Sequence, residues 1–238
     1  MEHFFFFGVA FIAAVIGTIA GFGSATFLIP FSSLVIDIKV AIVLVAFFHL
    51  FRNVSTIFLF KKINWGIFLK FGIPSIGASF FGAKLIAALD TETVKVIFGL
   101  FLITFVLYSF MKKAIQLKPV NYVAFSGGLS SGFLAGLIGT GGAIRSLFLN
   151  AFGLPKEVYI ATSAMIAIVI DLTRIPVYFA GGIVLDKIYL YYIPALIIIA
   201  FLGVIIGKKI VKKIPTETFR KVVLIALLLI GLKLLFGI

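Results

Sequence analysis

Long apolar runs, divided by short connectors that gather Lys and Arg, constrain this chain more than any other feature. The runs 4–20, 39–60, 65–88, 93–111, 120–138, 157–180, 188–207 and 217–237 each approach the roughly 20 residues that a helix needs to cross a bilayer core. Hydrophobic residues make up 63% of the 238, and charged residues 12%. A soluble domain carries about 25% charged residues. A water-soluble fold has no way to hide so much apolar surface, so lipid is the solvent for most of the chain. The expected fold class is all-α, a polytopic membrane protein. The apolar start, His3 to Ile16, lacks the basic stretch that opens a secretory signal and is read as a retained helix.

Several chemistries are poorly supported by the residues. There is no cysteine, hence no disulfide framework and no thiolate metal site. Of the two histidines, His3 is terminal, so no zinc constellation is expected. No Walker A motif is present, which argues against an ATP-driven pump. No carboxylate pair sits in a plausible aqueous site. Glu92 and Glu217 belong to matched Thr-Glu-Thr helix starts, where a carboxylate suits the positive end of the helix dipole. The chain is therefore expected to be neither an enzyme nor a holder of cofactor or metal. Its net charge of +13 would point to nucleic acid in a soluble protein. Here the basic residues lie mostly in connectors, where they set membrane orientation, and no nucleic-acid partner is expected.

Two further segments, 23–36 and 141–152, are too short for a comfortable crossing, and each follows its predecessor across a glycine cluster. Irregular backbone at membrane depth is tolerated where protein buries it or it lines a cavity. Each pair is therefore expected to form a glycine-tipped helical hairpin. The chain also repeats itself. Gly82 to Thr93, GAKLIAALDTET, matches Gly207 to Thr218, GKKIVKKIPTET, and a weaker match pairs the glycine clusters that start at Gly17 and Gly132. These matches divide the chain into repeats 1–116 and 117–238 of five segments each. If each hairpin enters and leaves on one face, Lys61, Lys62, Lys112, Lys113, Lys118 and Lys156 share a face with Lys208, Lys209, Lys212, Lys213, Arg220 and Lys221. The positive-inside rule makes that face cytoplasmic. It places the N-terminus outside the cell membrane and inverts the second repeat relative to the first.

Polar side chains far from either interface are costly, about 2.5–3.5 kcal/mol or more at a helix centre. His49, Arg52 and Asn53 are spaced i, i+3, i+4 on one face of the third segment, which must turn toward protein or water. Arg145 lies three residues past Gly142 and needs a partner from another segment or a bound anion. Asp171 and Arg174 are i, i+3 neighbours able to neutralise each other, and Asp171 or His49 is a candidate proton carrier. Helix starts near Gly23 and Gly141 present backbone N–H groups and a positive dipole end, the usual elements of an anion site. Gly21, Gly139 and Gly142 permit close backbone approach, and Ser24, Thr26 and Thr140 add hydroxyls. Thr162 and Ser163, early in the eighth segment, are further candidate contacts. Paired, shortened, glycine-interrupted segments point to a transport site where two repeats meet.

Gly132-Phe-Leu-Ala-Gly136-Leu-Ile-Gly139-Thr-Gly141-Gly142 resembles the second-half motif of the TauE/SafE family of sulfite and organosulfonate exporters. Gly17-Thr-Ile-Ala-Gly21-Phe-Gly23-Ser-Ala-Thr, ending at Pro30, resembles the first-half motif. It carries Ser24, Ala25 and Thr26 where the family has a run of glycines. The Ala161-Thr162-Ser163 run, and Arg174 followed by Tyr178 and Gly181, resemble the family's second-half helix. The resemblance implies ATP-independent secondary transport of a small anion such as sulfite, sulfoacetate or a related sulfur compound. His49, Arg52 and Arg145 are not carried by the resemblance; their candidacy rests on the cost of burying them. A homodimer is a possible assembly. The rival expectation is a non-transporting assembly factor or receptor, in which the buried arginines would all be paired and no cavity would remain.

Overall fold

The computed structural model describes residues 2–19, 23–111, 120–210 and 216–237, and not every side chain within them. Gly21 and the connector lysines Lys112, Lys113, Lys118, Lys212 and Lys213 lie outside the described residues. All described regular structure is helical: α1 Glu2–Ile19, α2 Ser24–Ser32, α3 Ile38–Phe60, α4 Trp65–Ala88, α5 Thr91–Phe110, α6 Asn121–Ile138, α7 Gly142–Asn150, α8 Lys156–Ala180, α9 Lys187–Leu190, α10 Tyr192–Ile210 and α11 Thr216–Phe236. Among them, α3, α4, α5, α8 and the stretch Lys187–Gly207 are each long and apolar enough to cross a membrane.

Side-chain caps mark several helix starts. Asp37 accepts the Lys39 and Val40 amides at 2.8 and 3.2 Å, Asn64 accepts the Ile67 amide at 3.0 Å, and Asp90 accepts the Thr93 amide at 2.8 Å. Each satisfies N–H groups that the first turn leaves unpaired. Two segments are shorter than the sequence reading drew them, since α2 and α7 have nine residues each. The expected segment 188–207 is interrupted at Tyr191, dividing α9 from α10. Pro194 explains the break: its ring lacks an N–H and collides with the carbonyl four residues earlier, that of Leu190, in a continuous helix.

The exterior is apolar and the interior holds the polar groups, as suits a protein solvated by lipid. Phe58, Phe81, Leu172, Ile198 and Leu229 are exposed, while His49, Asn53, Arg145, Asp171 and Arg174 are buried. Helices approach closely where side chains are absent. A Cβ added at Gly128, Gly132 or Gly136 of α6 would collide with the carbonyls of Phe71, Ser75 and Ser79 on α4, and one at Gly82 would strike Phe133 of α6. This four-residue spacing on both helices is the small-residue seam typical of membrane interiors. Similar close approaches join α5 to α11 at Gly99, and α1 to α10 where Gly203 meets Ala14.

The packing pairs recur in two parallel sets. α1 packs on α2 and α10, and α6 packs on α7 and α4; α3 packs on α2 and α10, and α8 packs on α7 and α4. Between the sets, α3 meets α8, α5 meets α11 and α2 meets α7.

Candidate functional site

The short helices α2 and α7 begin on glycines, Gly23 and Gly141, and neither start is capped by a side chain. Their N-terminal ends meet: a Cβ on Gly142 would lie 3.3 Å from the Gly23 Cα. The meeting is fixed from both sides. Thr26 Oγ1 and Thr140 Oγ1 lie 2.5 Å apart across it, and Ser131 Oγ of α6 donates to the Gly141 carbonyl at 3.0 Å. Gly139 ends α6 at φ +78°, a left-handed conformation that glycine adopts at little cost.

A cavity of about 270 Å³ adjoins this junction. Gly23 and Gly142 line it together with His49, Arg52 and Asn53 of α3, Arg145 and Ser146 of α7, and Tyr159 and Ser163 of α8. Phe60 and Lys156, at the α3 C-terminus and the α8 N-terminus, also line it. A smaller void of about 10 Å³, roughly the room for one water, borders Gly23, His49, Gly139, Gly142, Arg145, Asp171 and Arg174.

Three buried guanidinium groups surround these spaces, and they differ in their partners. Arg174 is saturated: Nε and Nη2 each lie 2.8 Å from Asp171 Oδ1, and Nη1 donates to the Ala135 carbonyl at 2.8 Å. Tyr178, one turn on, donates to the Gly136 carbonyl at 2.6 Å. Asp171 is shared further, since its Oδ2 lies 2.8 Å from His49 Nδ1. Arg145 donates from Nε to Ser163 Oγ at 3.0 Å. The Nε of Arg52 is buried without a hydrogen-bond partner, and no carboxylate pairs with Arg52 or Arg145 among the described residues. Gly17 keeps room for Arg52, because a Cβ there would sit 3.1 Å from its Nη2.

The structure thus brings Gly23, His49, Arg52, Asn53, Gly142, Arg145 and Ser163 to one cavity. Other candidates lie apart from its lining. Thr26 and Thr140 face each other. Thr162 accepts the Asn64 amide at 2.9 Å, tying the start of α4 to α8. Ser24 is buried with its hydroxyl unpartnered. Asn53, by contrast, is part of the lining and donates to the His49 carbonyl at 2.7 Å. Asp171 and Arg174 border the smaller void as a mutually neutralising pair. Sequence reasoning missed Thr56, Lys156 and Tyr159. The signal was present: Thr56 continues the His49–Arg52 face by one turn, and Lys156, Tyr159 and Ser163 share a face of α8 at i, i+3, i+7.

Spanning helices that are apolar outside, and polar around an interior cavity, define the class: a multi-pass α-helical membrane protein with a cationic internal site. The family model "Sulfite exporter TauE/SafE" matches residues 6–234, so the chain belongs to the TauE/SafE family. A Methanocaldococcus jannaschii protein named "Probable membrane transporter protein" is 28% identical over 155 residues, covering 57% of each chain. The chain thus spans less than two thirds of that relative's length. No solved structure matches.

Proposed function

We propose that this protein is a secondary transporter that exports a small anion across the plasma membrane. Sulfite, sulfoacetate or another sulfur-containing anion is the substrate class, in line with the family's description. One observation carries the reading: two uncapped helix N-termini meet at a cavity that also holds Arg52, with a bare Nε, and Arg145, paired to a neutral hydroxyl. Backbone donors and unpaired cations are costly away from water, and a bound anion supplies what hydration no longer does. The rival reading, a non-transporting receptor or assembly factor, requires paired arginines and a dry interior. The bare Arg52 Nε and the cavity favour transport.

In this proposal residues 1–116 and 117–238 form inverted repeats, with α1–α2 and α6–α7 as glycine-tipped hairpins and the N-terminus outside. The duplicated packing pairs support that arrangement, because the contacts of α1 with α2 and α10, and of α3 with α2 and α10, have counterparts in those of α6 with α7 and α4, and of α8 with α7 and α4. Relative movement of the two sets would expose the site to each side in turn. The test is flux of sulfite, sulfate, thiosulfate and sulfoacetate in proteoliposomes. Arg145→Ala is expected to abolish transport while the protein stays folded. Wild-type rates in that variant would overturn the role of Arg145.

A further inference from the structure

His49 has one ring nitrogen committed and one uncommitted. Nδ1 lies 2.8 Å from an Asp171 oxygen, and Asp171 is neutralised by Arg174 at 2.8 Å. That carboxylate fixes the tautomer, with the hydrogen on Nδ1 and a lone pair on Nε2. No partner for Nε2 is found among the described residues, and His49 lines both the main cavity and the smaller void beside it. The imidazole therefore stands between a charge-balanced Asp171–Arg174 pair and the space bounded by Arg52 and Arg145.

We propose that His49 is the proton-binding site of this transporter, and that it binds a proton on Nε2 together with the anion. The inference rests on the anion-transport reading above. It adds a second transported species, a proton, and the atom that carries it. The groups facing His49 set the sign of the coupling. Its own helix contributes Arg52. From α8 come Asp171 and Arg174, which cancel, and Tyr159 and Lys156 at the far end of the cavity. From α7 comes Arg145. α10 and α2 contribute only Val204, Gly23 and Ala25 to these spaces, none of them titratable. A proton on Nε2 thus adds positive charge to a site already holding two guanidinium groups and is disfavoured while the site lacks an anion. An anion reverses that balance, and the protonated Nε2 becomes a further donor to it. Linkage makes the effect mutual, so each ligand raises the affinity for the other by the same factor. In transport, the proton enters Nε2 from the aqueous phase on the loading side and leaves with the anion on the other. A monovalent anion then crosses without net charge movement.

Sulfate serves as the probe, because its own charge does not change around neutral pH, and methanesulfonate serves as a monovalent second. Purified wild-type protein in weakly buffered detergent solution, with a pH indicator, is expected to take up about one proton per bound anion. Its anion affinity, read from ligand-dependent thermal stability, is expected to be about 30- to 100-fold tighter at about pH 6 than at about pH 8, since one proton per anion means close to tenfold per pH unit. His49→Asn keeps an amide donor near the position of Nδ1 and so preserves the bond to Asp171, but it has nothing at Nε2. In this variant the proton uptake is expected to vanish and the affinity to become independent of pH, at the weaker, alkaline wild-type level. If His49→Asn does not fold, the same readouts apply to His49→Gln. Anion binding by wild type without proton uptake would overturn the coupling and leave the anion site standing. Uptake that survives in the folded variant would overturn the assignment to His49. No binding of either probe would overturn both readings together.

Discussion

Arg174 and Arg52 are both buried, yet their surroundings pair one fully and leave the other unmatched. Every nitrogen of Arg174 has a partner, and its charge is matched by Asp171 on the same helix face. Arg52 is buried with a bare Nε and no carboxylate partner among the described residues. Removing one member of a buried pair leaves the other uncompensated, at about 3–5 kcal/mol. Asp171→Ala is therefore expected to destabilise the protein by about that amount, seen as a lowered unfolding midpoint in detergent. Arg52→Met should do the reverse, leaving thermal stability unchanged or raised, because it removes an unmatched buried charge. The same substitution should weaken anion binding about 10- to 100-fold, the worth of one charge-assisted hydrogen bond. A large loss of stability in Arg52→Met would mean that the cation is structural. Much at this scale was legible beforehand. Burial cost singles out His49, Arg52, Asn53 and Arg145, and helical spacing pairs Asp171 with Arg174. The contact between Thr26 and Thr140 was not legible, because it depends on how two segments far apart in sequence dock. The cavity-facing roles of Lys156 and Tyr159 were missed because a lysine in a connector is equally well explained by topology.

Among the helices, the α4–α6 seam brings two backbones close at four glycines in turn, Gly82, Gly128, Gly132 and Gly136, and these glycines bear on packing rather than on a ligand. Gly132→Val would drive a branched side chain into the Ser75 carbonyl. It is expected to cost about 1–3 kcal/mol or more through overpacking, with reduced yield and a lower unfolding midpoint. The cap of α5 has a pH signature. The amide of Thr93, and then its hydroxyl, hold the exposed Asp90 carboxyl below the usual carboxylate range. A carboxyl depressed in the folded state stabilises it above the unfolded value, about pH 4, and that contribution fades as the pH falls through the lowered folded value. Amide exchange at Thr93 and Val94, corrected for intrinsic rates, is expected to accelerate in that acid window, and Asp90→Ala should show the faster exchange at all pH values. Helix positions were legible wherever a polar cap met a long apolar run, as at Asp37, Asn64 and Asp90. Ends were misjudged where apolar residues continue past the last helical turn, as after Ser32, and where Pro194 breaks a run that hydropathy alone leaves whole.

At the scale of the molecule, charge distribution and helix packing bear on the same question of orientation. Lys61, Lys62 and Lys156 lie at the end of the bundle where α3 finishes and α8 begins, which the positive-inside rule assigns to the cytoplasm. Since the chain has no cysteine, single cysteines report sidedness without a background. Lys62→Cys is expected to resist a membrane-impermeant maleimide in intact cells, and Asp186→Cys to react. The opposite pattern would invert the proposed topology. Overall architecture was legible to the level of an all-helical membrane bundle, because apolar length and basic connectors report directly on lipid. Which helices pair across the bundle was not, since lipid-facing and buried positions are equally apolar and leave little periodicity to read.

The bond between the Thr26 and Thr140 hydroxyls joins α2 to the connector that leads into α7. A neutral hydroxyl pair of this kind contributes about 1 kcal/mol, less than two multiples of thermal energy. It holds the helix tips in register at rest, yet it yields to ordinary fluctuation. In the proposed transport cycle, a latch that light aligns the two tips without resisting their separation, so the pace of turnover falls to the larger contacts around it.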